Sequence, residues 1–115
     1  MTVTIYHNPR CSKSLATLEL LRQRGVEPGI IEYLKDPPTA AVLDDLLRRL
    51  DLEPRDLMRR KEPEYAELGL DDSGLSRATL IEAMVTHPRL IERPIVVKDG
   101  RAALGRPPES VLEIL

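Results

Sequence analysis

With 115 residues, one cysteine and neither phenylalanine nor tryptophan, the chain has the length of one domain whose core is built from Leu, Ile, Val, Met and Ala, without an internal disulfide. Charged residues make up 31% yet the net charge is only −2, so the chain offers no electrostatic footprint for nucleic acid or membrane and no aromatic platform for stacked bases. No charged n-region precedes an apolar run at the start, no apolar stretch approaches a bilayer span, and a lone cysteine fits a reducing compartment. The expectation is a cytoplasmic protein.

Thr2-Val3-Thr4-Ile5-Tyr6 is rich in β-branched and aromatic residues and predicts a strand. The polar stretch Tyr6-His7-Asn8-Pro9-Arg10-Cys11-Ser12-Lys13-Ser14 follows it. Leu15, Leu18, Leu20 and Leu21 then recur at helical spacing as far as Gly25, a residue suited to ending a helix. Gly29-Ile30-Ile31-Glu32-Tyr33-Leu34 predicts a second strand, closed by Lys35-Asp36-Pro37-Pro38. Strand, helix and strand make a βαβ unit with its two strands parallel. Thr39 is an N-cap for a helix carrying Val42, Leu43, Leu46, Leu47 and Leu50 inward. Between Asp51 and Leu75 the pattern breaks into short charged pieces around Pro54, Pro63 and Gly69, which predicts short turns and loops. Ser76 caps another helix, with Leu80, Ile81, Met84 and Val85 on one face, and His87-Pro88 ends it.

Arg93-Pro94-Ile95-Val96-Val97 predicts a third strand. Asp99-Gly100 is a hairpin turn from which Arg101-Ala102-Ala103-Leu104 returns antiparallel. Gly105-Arg106-Pro107-Pro108-Glu109 leads into a last helix with Val111, Leu112, Ile114 and Leu115 inward. The order β-α-β, a helical middle over about residues 39–88, then β-β-α, is that of a thioredoxin-like α/β fold with a helical insertion. It predicts a four-stranded mixed sheet in a single domain over residues 1–115.

Cys11 therefore falls at the mouth of a strand-loop-helix unit. The unpaired N–H groups and dipole at the helix start favour a thiolate and can hold an oxyanion, and Arg10 and Lys13 add positive charge. A single cysteine is more often an inert, buried small hydrophobe. A loop of His, Asn, Pro, Arg, Ser and Lys is the wrong setting for one, which favours a reactive thiol. Cys11 together with the two distant histidines, His7 and His87, makes no metal site.

The opening motif Tyr6-His7-Asn8-Pro9-Arg10-Cys11, the middle motif Tyr65-Ala66-Glu67-Leu68-Gly69-Leu70, and the late motifs Arg93-Pro94-Ile95-Val96-Val97 and Gly105-Arg106-Pro107 resemble those of the glutathione- and glutaredoxin-dependent arsenate reductases. The resemblance runs through essentially the whole chain. It implies that Cys11 is the nucleophile and that Arg59, Arg93 and Arg106 surround the oxyanion, with Arg60 replacing Arg59 if the alignment shifts by one. His7 matches the histidine of the first motif, and Asn8, Ser14 and Pro94 count as supporting residues. Pro94 follows a cis peptide if the chain keeps the isomer that thioredoxin-like folds hold beside their active cysteine. His7 would lower the Cys11 pKa if protonated, or else hydrogen-bond the loop backbone. The implied partners are arsenate or a similar oxyanion, glutathione as co-substrate and glutaredoxin, with no bound cofactor.

The arrangement Cys11-Ser12-Lys13-Ser14 is C-x-x-S, shared with short arsenate-reductase-like relatives of uncharacterised substrate. One rival reading is therefore a glutathione-linked thiol oxidoreductase acting on another substrate. A second is a regulator resembling Spx, which binds RNA polymerase. Redox-sensing members of that group typically carry C-x-x-C, and Ser14 occupies the second position here.

Overall fold

A computed structural model describes residues 2–115. They form two compact units, one made of the chain up to Asp36 together with Arg93–Leu115, the other of Pro37–Glu92.

The first unit holds the whole sheet. Strands β1 (Val3–Tyr6), β2 (Gly29–Ile31), β3 (Ile95–Lys98) and β4 (Arg101–Leu104) lie in the order β2-β1-β3-β4. β1 runs parallel to β2, with Ile5 opposite Ile30, and antiparallel to β3, with Ile5 opposite Val96. This is the expected thioredoxin-like mixed sheet. Alternation along β1 sends Val3 and Ile5 inward, where they join Leu18, Leu21, Val96, Val111 and Ile114 in a buried cluster. The β3–β4 hairpin turns through Asp99 and Gly100, both at positive φ (50° and 81°), which an Asp-Gly pair tolerates.

Helix α1 (Ser12–Gln23) connects the two parallel strands. Its end is a Schellman closure: Gly25 at φ 77° donates to the Arg22 carbonyl (3.0 Å), and Val26 N–H reaches the Leu21 carbonyl (2.9 Å). Its inner face differs from the leucine stripe. Ser14, Thr17, Leu18 and Leu21 are buried, Leu20 is partly so, and Leu15 is 48% exposed. The reason lies in the site, where both small hydroxyl side chains find partners.

The predicted second strand is shortened. After Ile31 the chain turns, with Lys35 and Asp36 N–H groups both donating to the Glu32 carbonyl, so Glu32 to Leu34 lie outside the strand. The third strand likewise starts at Ile95 rather than Arg93. The final segment, Pro108–Ile114, is a 3₁₀ helix that buries Val111 and Ile114 and leaves Leu112 and Leu115 partly exposed.

In the second unit, α2 (Ala40–Leu50) is capped by Thr39, whose hydroxyl accepts the Val42 N–H (3.2 Å). It ends at Asp51 in the left-handed region. A 3₁₀ turn (Pro54–Leu57) and the short α3 (Pro63–Glu67) fill the expected broken stretch. α4 (Arg77–Thr86) is capped by Ser76, which accepts the Thr79 N–H (3.2 Å), and Pro88 opens a further 3₁₀ turn. Helices α2 and α4 are in contact and carry the buried side chains Leu43, Leu46, Leu47, Leu80, Ile81 and Met84. Val42 and Val85, expected on these inner faces, are exposed and partly exposed, respectively. Among the described residues no helix is long and apolar enough to cross a membrane.

Candidate functional site

The loop joining β1 to α1 is built by its own polar residues. The last sheet bond runs from His7 N–H to the Ile31 carbonyl (2.8 Å), after which Asn8 turns the chain. Its side-chain oxygen accepts the Arg10 N–H (2.9 Å) and its carbonyl accepts the Cys11 N–H (3.0 Å). Cys11 is left extended (φ −98°, ψ 122°) as the N-cap of α1, its carbonyl accepting the Leu15 N–H (2.9 Å). The thiol thus replaces the oxygen that usually caps a helix, and faces the free N–H groups of the first turn.

Burial of Cys11, which is 8% exposed, pushes its thiol up. Opposing it are the Ser14 N–H, the Arg93 charge, the Lys13 N–H and a hydrogen bond from the Arg93 side chain. Together these outweigh the burial and hold the thiol below its ordinary range. Sequence reasoning counts Lys13 as a nearby charge; the structure adds its backbone N–H. That contribution was available in principle from the N-cap position, since the N2 and N3 amides of any helix face the cap.

Arg93 and Arg106 flank the β3–β4 hairpin in sequence and come to Cys11 together from its open end, where Ile95 pairs with Leu104. The Arg93 side chain is buried, and the Arg93–Pro94 and Arg106–Pro107 peptides are both cis. Gly105 N–H donates to the Pro94 carbonyl (2.9 Å), and Arg106 Nε donates to the Arg93 carbonyl (2.8 Å). This leaves Arg106 Nη2 4.0 Å from Cys11 Sγ. A thiolate flanked by two guanidinium groups and the amides of a helix start can receive a compact, multiply charged anion and attack its centre.

Beneath the loop, His7 Nδ1 lies 2.6 Å from Ser14 Oγ, which also accepts the Asn8 N–H at 3.0 Å. Burial lowers the His7 pKa; the carboxylate of Glu32 opposes this and the charge of Arg22 adds to it. His7 is therefore neutral near pH 7. Its ring bonds the Ser14 side chain, where the sequence offered a charged ring beside Cys11 or a bond to the loop backbone. Thr17, one turn further along α1, donates its hydroxyl proton to the Lys13 carbonyl (2.8 Å).

Arg59 and Arg60 belong to the second unit. Arg59 N–H donates to the Leu90 carbonyl (2.7 Å), and its partly buried guanidinium pairs with Glu62 and stands 3.8 Å from Glu92. Arg60 is more exposed, bonding the Arg55 carbonyl (3.3 Å) and lying 3.9 Å from Asp56. The first unit thus brings together Cys11, Arg93, Arg106, Pro94, His7, Asn8 and Ser14, while the two remaining arginines are held by the second unit's own carboxylates and carbonyls.

Residues 6–114 match the ArsC family. The chain is 59% identical over 114 residues to the uncharacterised protein YfgD of Escherichia coli K12, covering 98% of this chain and 96% of that one. It is 46% identical to an arsenate reductase of Neisseria meningitidis, covering 98% and 97% respectively. Among solved structures, an arsenate reductase from Vibrio cholerae superposes with a TM-score of 0.98 at 55% identity, covering 100% of this chain and 98% of that one. These matches extend along nearly the whole chain, and the chain belongs to the ArsC family.

Proposed function

We propose that this protein reduces arsenate to arsenite through a Cys11 thiolate, with glutathione and glutaredoxin as external thiol donors. The observation that carries the reading is the placement of Cys11 at the start of α1 with Arg93 and Arg106 beside its sulfur. Arsenate is a tetrahedral dianion near neutral pH, and planar guanidinium forks bind its oxygens while cancelling its repulsion of the thiolate. Arg59 supplies the third fork in this reading, and Asn8, Ser14 and Pro94 shape the loops that hold the others.

Cys11 attacks As(V), forming an S–As bond, and one oxygen leaves as water. The thiol of glutathione then adds to arsenic with loss of a second water. Collapse of this adduct breaks both As–S bonds and forms one S–S bond. The two electrons pass to arsenic, which takes back one water and departs as arsenite, and Cys11 remains disulfide-bonded to glutathione. A glutaredoxin thiolate attacks the glutathione sulfur and expels the Cys11 thiolate. External thiols are required because the chain contains one cysteine. A lowered pKa serves Cys11 both as attacking group and as leaving group.

The test is arsenite production from arsenate with glutathione and glutaredoxin, comparing the native chain with Cys11→Ser. Turnover that disappears in the variant supports the reaction and its nucleophile together. A native chain without turnover, its Cys11 still ionised well below an ordinary thiol, discards arsenate and leaves a thiol oxidoreductase for another substrate.

A further inference from the structure

We propose that Gly105 is a positioning residue for the anion site: having no side chain, it lets the turn after β4 close onto Pro94 and Thr17, and so sets where the Arg106 guanidinium stands beside Cys11. This rests on the reading of Cys11, Arg93 and Arg106 as the reaction centre.

Gly105 is buried, and a Cβ built on it would lie 2.5 Å from Thr17 Oγ1, 2.7 Å from Pro94 Cγ and 3.2 Å from Pro94 Cδ. The first two distances fall below the 3.0 Å that real Cβ atoms respect. Its φ lies outside the left-handed region, so an alanine would lack space rather than a permitted backbone. Gly25, Gly69 and Gly100 are the reverse case, each at positive φ with nothing within 4 Å.

Neither neighbour of Gly105 yields easily. Thr17 is fully buried on α1, with its hydroxyl engaged by the Lys13 carbonyl at 2.8 Å. Pro94 is a rigid ring whose carbonyl accepts the Gly105 N–H at 2.9 Å. Relief would have to come from movement of the turn itself, and misplacement of a reacting group by about 1 Å costs a reaction up to about a hundredfold in rate. Arg106 is the next residue, and it is tied to the carbonyl of Arg93. Pressure on Pro94 and on the turn therefore reaches both arginines that face the sulfur.

Gly105→Ala in the full chain tests this. Two measurements are made, the pH dependence of Cys11 alkylation by iodoacetamide and the KM for arsenate, with circular dichroism reporting the fold. The expected result is a folded protein whose alkylation midpoint moves to higher pH and whose KM rises about tenfold or more. A folded variant with the native midpoint and native KM overturns the proposal. If the native chain does not turn arsenate over, the proposed reaction fails, and the alkylation midpoint alone decides the role of Gly105. Should Gly105→Ala not fold, the double variant Gly105→Ala/Thr17→Ala removes the nearer clash and keeps the one with Pro94. A midpoint above that of Thr17→Ala alone supports the proposal, and an identical midpoint overturns it.

Discussion

Ser14 Oγ stands 2.6 Å from His7 Nδ1, joining the first turn of α1 to the residue that follows β1. The same oxygen accepts the Asn8 N–H at 3.0 Å, so one hydroxyl with no solvent exposure holds both sides of the cysteine loop. Ser14→Ala leaves a buried ring nitrogen and an amide without that partner. A loss of about 1–3 kcal/mol in stability is expected, read from urea unfolding. A change under about 0.5 kcal/mol, the range of an inconsequential surface substitution, would show that the loop does not depend on this hydroxyl.

Acid should weaken the fold through His7. Its folded pKa is depressed by burial, so its contribution is fully present above the ordinary histidine value of about 6.5 and is lost as pH falls through the lower folded value. His7→Asn keeps a polar group near Nδ1 and removes the titration. Urea midpoints measured from neutral pH downward should fall less steeply in the variant. Equal slopes would mean that His7 bears no part in the acid sensitivity.

Arg93 acts on Cys11 by charge and by a hydrogen bond, and lysine keeps the charge but loses the planar fork of donors. In Arg93→Lys, kcat/KM for arsenate is expected to fall about tenfold or more, the worth of a hydrogen bond to a charged group. The alkylation midpoint of Cys11 should rise less than in Arg93→Ala. Native kinetics in Arg93→Lys would remove the planar fork from the mechanism.

The two neighbouring arginines of the second unit separate in a paired substitution. Arg59 is engaged with Glu62 and Glu92, whereas Arg60 is an exposed residue 3.9 Å from Asp56, a pair expected to contribute about 0–1 kcal/mol. Arg59→Ala should depress arsenate turnover while Arg60→Ala leaves it near native. The opposite ranking in steady-state assays would reassign the third arginine to Arg60.

Much of the organisation is legible in local chemistry. Thr39 and Ser76 read as caps because their hydroxyls can accept amides two or three residues ahead, and both do. Asp99-Gly100 reads as a hairpin because both residues tolerate positive φ. The inner face of α1 is not legible in this way. Spacing favours Leu15, which is 48% exposed, over Ser14 and Thr17, which are fully buried. Hydrophobic periodicity treats a hydroxyl as a reason to face water, and the partners that make these two acceptable inside come from the loop and from the helix backbone.

The length of β2 was likewise beyond composition. Gly29 to Leu34 has the residues of a strand, but its partner β1 ends at Tyr6 opposite Ile31, and the chain then turns over the Glu32 carbonyl.

By itself the sequence determined the order of the elements, the position of Cys11 between a strand and a helix, and the absence of a second cysteine, because these depend on neighbours along the chain. Tertiary structure alone decided that Arg106 would bond the carbonyl of Arg93 and stand 4.0 Å from a sulfur 95 residues away. It also placed Gly105 where a single methyl has no room. Such contacts arise from sheet pairing and from the closing of the β4 turn against α1, and no local pattern of residues encodes the distance between two loops.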